Sequence, residues 1–366
     1  MSLTFSVEPN PSPATEADRE KVFANPGFGD FFSDHMVSID WKGTYADGGE
    51  WSNARVSAYE PLSLDPASCV LHYGQEIFEG VKAYRHADGS IWTFRPQVNA
   101  QRLQRSARRL AMPELPEELF VESLKQLVSI DREWVPRGEG EAFYLRPFMI
   151  STEAYLGVRP AHEVKYLVIG SPVGNYFGTV APVDIWLSTE YARAGVGGTG
   201  AAKCGGNYAA SLIAQLEGEQ HGCKQVIFKD SHRDDAIEEL GGMNVFFVFG
   251  DENKLVTPEL TGTILEGVTR QSIIQLAKDR GMTVEERKFT LDQWREGVAS
   301  GAISEIFACG TAAVISPVGA LKSADGVIAA PGDGAAGEVT LSLRQELVGI
   351  QTGVVEDRHG WLTRLV

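Results

Sequence analysis

Alternation of apolar and polar positions divides the first half of the chain into short strands and two helices. Period-two segments separated by Gly and Asp turns predict strands and hairpins at 37–43, 51–60, 80–89 and 90–94. Apolar residues at helical spacing predict amphipathic helices over 95–112 and 116–135. Two further apolar segments, 142–151 and 165–172, are typical of strands. The first half is therefore expected to be α+β.

The second half of the chain alternates strands with longer helical segments. Strands are predicted at 183–188 and 225–230, a hairpin over 244–258, and strands around a turn within 303–323. Helices are predicted over 207–222, 267–281, 290–301 and 338–353. This pattern indicates a second folded region with both kinds of element.

A stretch that contains Gly and Pro, 173–182, separates strong strand candidates and predicts a domain boundary. The expected organisation is a two-domain α+β or α/β protein: a disordered arm over 1–20, a small α+β domain over 21–174, an interdomain loop over 175–189 and a larger domain over 190–366.

Composition narrows the class of protein. The chain has 366 residues, 43% of them hydrophobic and 22% charged, so it can bury a sizeable core. A formal net charge of -16 argues against nucleic-acid binding, which needs clustered Lys and Arg. The sequence shows no apolar run long enough for a membrane span and no signal peptide, so we expect a cytoplasmic protein. Four scattered cysteines without a CxxC pair predict buried thiols and no metal site.

Lys203 lies in a glycine-rich segment, GVGGTGAAKCGG (195–206), although lysine is usually a solvated surface residue. Residues 195–200 match the dinucleotide fingerprint G-x-G-x-x-G, but six residues separate the preceding strand from them, and the later glycines weaken a helix there. A Walker-type phosphate loop needs Gly-Lys-Ser/Thr, which is absent. A flexible loop with an incidental lysine is the simplest alternative.

A lysine that acts by covalent chemistry also fits this segment. Small neighbours let a planar ligand approach the amine closely, and a Schiff base with pyridoxal phosphate needs this access. The same cofactor needs a carboxylate at its pyridine nitrogen, an anion site for its phosphate and a residue near its ring hydroxyl. This hypothesis can be checked elsewhere in the chain.

Candidates for each requirement are present, each with a simpler alternative. Glu239 precedes an apolar strand and can supply the carboxylate, although Glu238 and Glu239 also fit a solvated loop. Val268 and Thr269 open a helix and can face a phosphate, or Thr269 can be an ordinary cap. The turn in CGTAAV (309–314) is a second anion site, and Arg102 lies on a helix with a basic, solvated face.

The order of these segments resembles the branched-chain amino acid aminotransferases, bacterial form, of the type-IV class of pyridoxal-phosphate enzymes. The resemblance covers nearly the whole chain after the N-terminal arm. It is carried by FGDFFSDHM (28–36), LHYGQEIFEGVKAY (71–84), FRPQVNAQRLQRSARRL (94–110), YLRPF (144–148), GGTGAAKCGGNYAAS (197–211), EELGGMNVFFV (238–248), GVTRQSI (267–273) and CGTAAVISPV (309–318).

The resemblance implies roles for individual residues. Lys203 corresponds to the Schiff-base lysine and to the general base that moves the α-proton. The other implied cofactor contacts are Tyr208 near the ring hydroxyl, Glu239 at the pyridine nitrogen, Arg193 near the cofactor, and Arg102, Val268, Thr269 and Thr311 at the phosphate. The implied substrate pocket consists of Phe28, Tyr73, Phe78, Tyr144, Arg146, Tyr176 and Ala312, with Arg146 facing an anionic group.

The resemblance also implies an activity and a fold. The expected reaction is amino transfer between Leu, Ile or Val and 2-oxoglutarate, in a small α+β domain and a larger barrel-like domain with the cofactor between them, in a homodimer. D-amino acid transaminase and aminodeoxychorismate lyase are alternatives in the same class, and a nicotinamide-dependent oxidoreductase or a non-enzymatic binding protein are remoter ones.

Two departures from the family pattern are visible. The stretch GTAAVISPV lacks the CxxC of animal members, so a CxxC redox switch is not expected. Gly242 stands where some members have Thr, so the preference among Leu, Ile and Val is not predicted.

Overall fold

Strands supply most of the framework. The computed structural model describes residues 3–174, 180–232, 235–332 and 334–366. The strands in these ranges are β1 (Ser6–Val7), β2 (His35–Thr44), β3 (Gly48–Ala58), β4 (Glu76–Phe78), β5 (Val81–Arg85), β6 (Ile91–Phe94), β7 (Ala142–Ser151), β8 (Glu163–Val173), β9 (Val183–Ser188), β10 (Gln225–Lys229), β11 (Ile237–Leu240), β12 (Asn244–Phe249), β13 (Lys254–Thr257), β14 (Thr283–Glu286), β15 (Glu305–Gly310), β16 (Val314–Ser323), β17 (Gly326–Ile328) and β18 (Leu362–Arg364).

Helices follow the strands in both halves of the chain. Over the same described ranges they are α1 (Glu16–Phe23), α2 (Cys69–Tyr73), α3 (Pro96–Arg109), α4 (Glu117–Ile130), α5 (Gly205–Ala209), α6 (Leu212–Gln220), α7 (Val268–Asp279), α8 (Leu291–Ser300) and α9 (Glu338–Gln351). The presence of strands and helices in both halves confirms the predicted mixed α and β fold class.

The first of two compact units comprises Met1–Tyr176, Ala202–Gly205 and Gly349–Val366. Its sheet has the strand order β1-β3-β2-β8-β7-β5-β6-β18, with β4 paired to β7. All its described ladders are antiparallel except β1 with β3. The apolar faces of α3 and α4 pack on this sheet through side chains such as Leu103, Leu124 and Leu127.

The N-terminal segment of this unit is ordered where the sequence predicted a disordered arm over 1–20. Strand β1 pairs with β3, and the N–H of Ala14 donates to Oδ1 of Asp34 at 2.8 Å. The side chain of Thr15 caps α1. The pairing of β1 and the bond of Ala14 are to distant residues, so the composition of the segment did not reveal them.

The second unit comprises Phe177–Ala201 and Gly206–Val348. Its mixed sheet has the order β11-β10-β9-β16-β15-β12-β13-β14, with β17 paired to β16. Helix α6 packs on β9 and β10, and α7 packs on β14 and β15. In its core the ring of Phe247 stacks on Phe289 at 3.9 Å between centroids and meets the edge of Trp294 at 4.9 Å.

The unit boundaries differ from the predicted domains in two ways. The segment Ala202–Gly205 and the C-terminal residues from Gly349 group with the first unit, although we predicted one domain over 190–366. Strand β9 lies inside the predicted interdomain loop 175–189 because its residues pair with β10 and β16.

Most predicted elements are present, and one helix is interrupted. The helix predicted over 207–222 is divided into α5 and α6 at Ala210 and Ser211. The hydroxyl of Ser211 donates to the carbonyl of Tyr208 at 2.7 Å, a local bond that competes with a continuous helix. As predicted, all four cysteines are buried free thiols.

Candidate active site

Lys203 is fixed to the first unit through its backbone. Its N–H donates to Oγ of Ser106 on α3 at 2.9 Å, and its carbonyl accepts from the N–H of Phe78 at 2.9 Å. Its Nζ lies 4.7 Å from the centroid of the Phe78 ring. An ammonium group at this distance is attracted to an aromatic face. The half-buried lysine is therefore held by contacts at both ends.

A chain of contacts continues from Lys203 to the predicted substrate residues of the same unit. The guanidinium of Arg146 lies 4.8 Å from the centroid of Phe78, and its Nη2 donates to the hydroxyl of Tyr144 at 3.0 Å. The rings of Tyr144 and Phe28 are 5.0 Å apart. Alternate positions on β7 place Tyr144 and Arg146 on one face. The structure thus brings Lys203, Phe78, Arg146, Tyr144 and Phe28 together.

For Arg146 the resemblance implies an anionic partner, and one carboxylate of the same unit is within reach of its charge. The charge of Arg146 acts on Glu76, whose carboxylate accepts from the N–H of Gly205. Burial raises the pKa of Glu76, while the Gly205 bond and Arg146 act in the opposite direction. The buried Nε of Arg146 makes no hydrogen bond within the described part of the chain. That donor is suited to a bound anion.

Arg102 is buried on α3 and forms a two-point ion pair with Glu79. Its Nε lies 2.7 Å from Oε1, and its Nη2 lies 2.8 Å from Oε2. The Nδ2 of Asn99, one turn earlier, donates to Oε2 at 2.7 Å. The solvated face that was an alternative for Arg102 is therefore wrong: its side chain is 4% exposed.

Glu239 is the centre of a second group of contacts, in the second unit. Its Oε1 accepts from Nη2 of Arg193 at 2.6 Å and from the N–H of Leu265 at 2.7 Å. Its Oε2 accepts from Nδ2 of Asn244 at 3.4 Å. The residue is 3% exposed, so the solvated-loop alternative does not hold. These donors fix the position of both carboxylate oxygens.

The neighbouring Glu238 differs from Glu239. Burial raises the pKa of Glu238 to about 7, with the charges of Asp230 and Glu239 acting in the same direction and Thr263 and Arg193 in the opposite one. Glu238 therefore titrates near neutral pH.

Arg193 joins the glycine-rich segment to this group. Its Nη2 donates to the carbonyls of Gly200 at 3.1 Å and Thr263 at 2.5 Å. A Cβ on Gly200 would overlap the backbone of Thr263, so this glycine permits a close backbone approach. The dinucleotide alternative is not supported, because the helix after the glycines, α5, has only five residues.

Two turns of the second unit contain the residues that were predicted for anion binding. Gly267 caps α7 without a side-chain hydrogen bond, and the buried Val268 and Thr269 form the first turn. Thr311 and Ala312 lie in the tight turn between β15 and β16, which Gly310 and Val314 close. The β-branched Val314 has a φ of 61°, a strained conformation that is most often found at functional turns.

The remaining predicted tyrosines are Tyr73, Tyr176 and Tyr208. Tyr73 is 43% exposed, and its hydroxyl donates to the carbonyl of Leu156. Tyr176 lies outside the described residues. Tyr208 is half-buried on α5, with its ring 3.8 Å from the position of a Cβ on Gly242. A larger residue at 242 would therefore contact the Tyr208 ring.

Comparison with known proteins decides what this arrangement is. The profile of the amino-transferase class IV family matches residues 76–321. The chain belongs to this family. It is 57% identical to the branched-chain-amino-acid aminotransferase of Mycolicibacterium smegmatis over 99% of this chain and 98% of that one. It is 55% identical to the protein of the same name from Mycobacterium tuberculosis (strain ATCC 25618 / H37Rv), over 100% and 99%.

Solved structures agree with the assignment of this class-IV aminotransferase. The branched-chain amino acid aminotransferase of Escherichia coli superposes with a TM-score of 0.73 at 30% identity, covering 85% of this chain and 97% of that one. The T.th. branched-chain amino acid aminotransferase with pyridoxamine 5'-phosphate gives a TM-score of 0.74 at 29% identity, covering 90% and 99%. The predicted type-IV fold is confirmed.

Sequence reasoning missed residues that orient the predicted ones in this class-IV aminotransferase. Glu79 holds Arg102, Ser106 holds the backbone of Lys203, and Asn244 contacts Glu239. Glu79 and Ser106 lie within the segments that carry the resemblance, but their partners come from other elements. The i, i+3 spacing of Asn99 and Arg102 was a usable signal that both face one acceptor.

Proposed function

We propose that this chain transfers the amino group between branched-chain L-amino acids and 2-oxoglutarate, with pyridoxal 5'-phosphate held by Lys203. The contiguous group of Lys203, Phe78, Arg146, Tyr144 and Phe28 supports the proposal most strongly. It combines an amine with apolar walls for a branched side chain and a cation for a carboxylate. The two mycobacterial relatives, named as branched-chain-amino-acid aminotransferases, support the same substrates.

The residues present fit the proposed cofactor. The cofactor needs an acid at its ring nitrogen, and Glu239 is a buried carboxyl group that Arg193 and the Leu265 N–H hold in place. Its phosphate needs N–H donors, and the start of α7 at Val268 and Thr269 supplies them. The T.th. relative was solved with pyridoxamine 5'-phosphate. When bound, pyridoxal phosphate accepts the electrons released at the substrate α-carbon.

Each site residue has a distinct role in this proposal. The amine of Lys203 holds the cofactor, and when released it takes the α-proton of the amino acid as general base. Glu239 keeps the ring nitrogen protonated. Tyr208 and Arg193 lie at the ring. Phosphate binding falls to Arg102, Val268, Thr269 and Thr311, and Ala312 borders the substrate.

Substrate selection is assigned to the first unit. Phe28, Phe78 and Tyr144 exclude water from an apolar side chain. Arg146 binds the side-chain carboxylate of glutamate or 2-oxoglutarate through donors that include its buried Nε. Tyr73 and Tyr176 complete the pocket in the proposed assembly.

A homodimer is part of the proposal. Large apolar side chains are exposed on the first unit: Leu71 (59%) lies beside Tyr73 on α2, and Leu156 (62%) and Val158 (84%) lie in the segment that Tyr73 contacts. Large exposed apolar patches are typical of interaction surfaces. Sedimentation velocity would test this, since a monomeric species would contradict it.

No helix in the described ranges is long and apolar enough to cross a membrane. The cytoplasmic location and the lack of nucleic-acid binding stay predictions.

A substrate panel tests the proposed activity. Purified protein with pyridoxal phosphate and 2-oxoglutarate should form glutamate from L-Leu, L-Ile and L-Val and not from D-Ala. Turnover of D-Ala instead would favour the D-amino acid transaminase, and release of pyruvate from aminodeoxychorismate would favour the lyase. A colourless protein that takes up no cofactor would contradict the proposal.

A further inference from the structure

We propose that Glu79 is a positioning residue that fixes Arg102 for binding the phosphate of the cofactor. The inference rests on the proposed function, because it assigns Arg102 to that phosphate. Glu79 itself touches neither substrate nor cofactor in this proposal and acts through the guanidinium of Arg102.

Glu79 is fully buried and both of its carboxylate oxygens accept hydrogen bonds from the protein. It follows β4 directly, is 0% exposed, and its own N–H donates to the carbonyl of Pro147 at 2.7 Å. Its Oε2 also accepts from the N–H of Gly80 at 3.2 Å. The bond to Pro147 thus fixes the backbone of Glu79 to β7, and the side chain contacts α3.

The contacts with α3 constrain the plane of the Arg102 guanidinium. Two parallel N–H···O bonds, at 2.7 and 2.8 Å, join Arg102 to both oxygens of Glu79. Such a fork fixes orientation as well as distance, which a single hydrogen bond does not. Asn99 donates to Oε2 at 2.7 Å and restrains the carboxylate in turn.

The same carboxylate is in the electrostatic field of Lys203. Burial alone would raise the pKa of Glu79, but Arg102, Lys203 and Asn99 together lower it below its ordinary value. Glu79 therefore remains charged, and the pair it forms with Arg102 persists. Phe78, the residue before it, contacts both the carbonyl and the Nζ of Lys203. The charges of both the lysine and the arginine of the proposed cofactor site thus act on Glu79.

Removing the charge of Glu79 has two possible effects on anion binding at Arg102, and these effects have opposite signs. The inference is therefore testable. If Glu79 served only as a nearby negative charge, Glu79→Gln would strengthen anion binding at Arg102. If Glu79 positions Arg102, the same variant loses the fork and weakens anion binding. The sign of the change in affinity distinguishes the two.

The experiment measures binding of two probes to full-length protein freed of cofactor: pyridoxal phosphate by absorbance, and inorganic phosphate as its competitor. In Glu79→Gln we expect the Kd of both probes to rise by about tenfold or more, which corresponds to one lost oriented hydrogen bond to a charged group. Asn99→Ala, which removes a donor from the same carboxylate and leaves the fork, should change both Kd values by less than about threefold.

Unchanged or tighter phosphate binding by Glu79→Gln would overturn the inference. If that variant does not fold, Glu79→Asp replaces it, and phosphate binding must then weaken more than in Asn99→Ala; an equal effect would overturn the inference. Failure of the unmutated protein to bind pyridoxal phosphate would instead contradict the proposed function. If the parent binds the cofactor and the Glu79→Gln variant binds it equally well, only the role of Glu79 is contradicted.

Discussion

Replacing the buried Glu238 by glutamine is expected to stabilise the protein above neutral pH and to change little below pH 5. Glu238 is 1% exposed, and burial raises its pKa from the ordinary 4.5 to about 7. The folded protein therefore holds a proton that the unfolded chain releases at lower pH. Glutamine has nearly the same shape and carries no such proton.

The size of the effect follows from this shift in pKa. Below pH 4.5 the carboxyl is protonated in both states, so it adds no pH dependence. As the pH rises towards 7, the unfolded chain ionises and the folded protein does not, so stability is lost progressively. Above about pH 7 both states are ionised and the loss is complete, at no more than about 3 kcal/mol. Glu238→Gln removes this loss.

Thermal unfolding of the parent and the variant, measured in steps between about pH 5 and pH 9, tests this reasoning. The difference in Tm should grow from about pH 5 to about pH 7 and level off above that. Glu219→Gln, an exposed substitution on α6, is the matched control and should show no comparable trend. A Tm difference that is independent of pH, or a variant less stable than the parent at high pH, would show that Glu238 is not held protonated.

Three further substitutions have expected outcomes. Gly200→Ala places a Cβ 2.6 Å from Cα of Thr263 and should lower the free energy of unfolding, measured by thermal denaturation, by about 1–3 kcal/mol. The control Gly206→Ala should be nearly neutral in the same measurement, because no atom lies within 4 Å of the added Cβ. Arg146→Ala should slow the glutamate half-reaction about tenfold more than the leucine one in single-turnover measurements, because only glutamate brings a side-chain carboxylate. Equal losses of rate in the two half-reactions would contradict the role proposed for Arg146. Thr290→Ala removes the capping box of α8 and should cost about 1 kcal/mol of stability, while Thr290→Ser should retain most of it.

Two residues of the substrate side, Tyr144 and Arg146, were predictable as neighbours because they share one strand. Period-two alternation along 142–151 puts Tyr144 and Arg146 on the same face, and the observed strand β7 has the same bounds. The arginine on that face also indicated an anionic partner, and the structure shows that its charge acts on Glu76.

The contacts that orient these residues could not be predicted from local pattern. Ser106 and Lys203 are 97 positions apart, and their hydrogen bond depends on how α3 packs. The segment Ala202–Gly205 groups with the first unit for the same reason, through bonds to Phe78, Glu76 and Ser106. Hydrophobic periodicity defines elements and their buried faces, and it does not specify which distant polar groups meet.

The glycine-rich segment was partly predictable from its composition and partly not. Its composition indicated that small residues were required, but their reasons differ. Gly200 permits close approach of the Thr263 backbone, and Gly197 adopts a φ of 75°, where a side chain is strained. Access to Lys203 is one requirement among several in this segment.

The central claim, that Lys203 holds pyridoxal phosphate and moves the substrate proton, is tested most directly by one comparison. Parent and Lys203→Ala proteins, purified in parallel with added cofactor, are compared for visible absorbance and for glutamate formed from L-Leu and 2-oxoglutarate. We expect a yellow, active parent and a variant that lacks both the colour and the activity. A Lys203→Ala protein that keeps the parent's absorbance or its rate of transamination would contradict the claim.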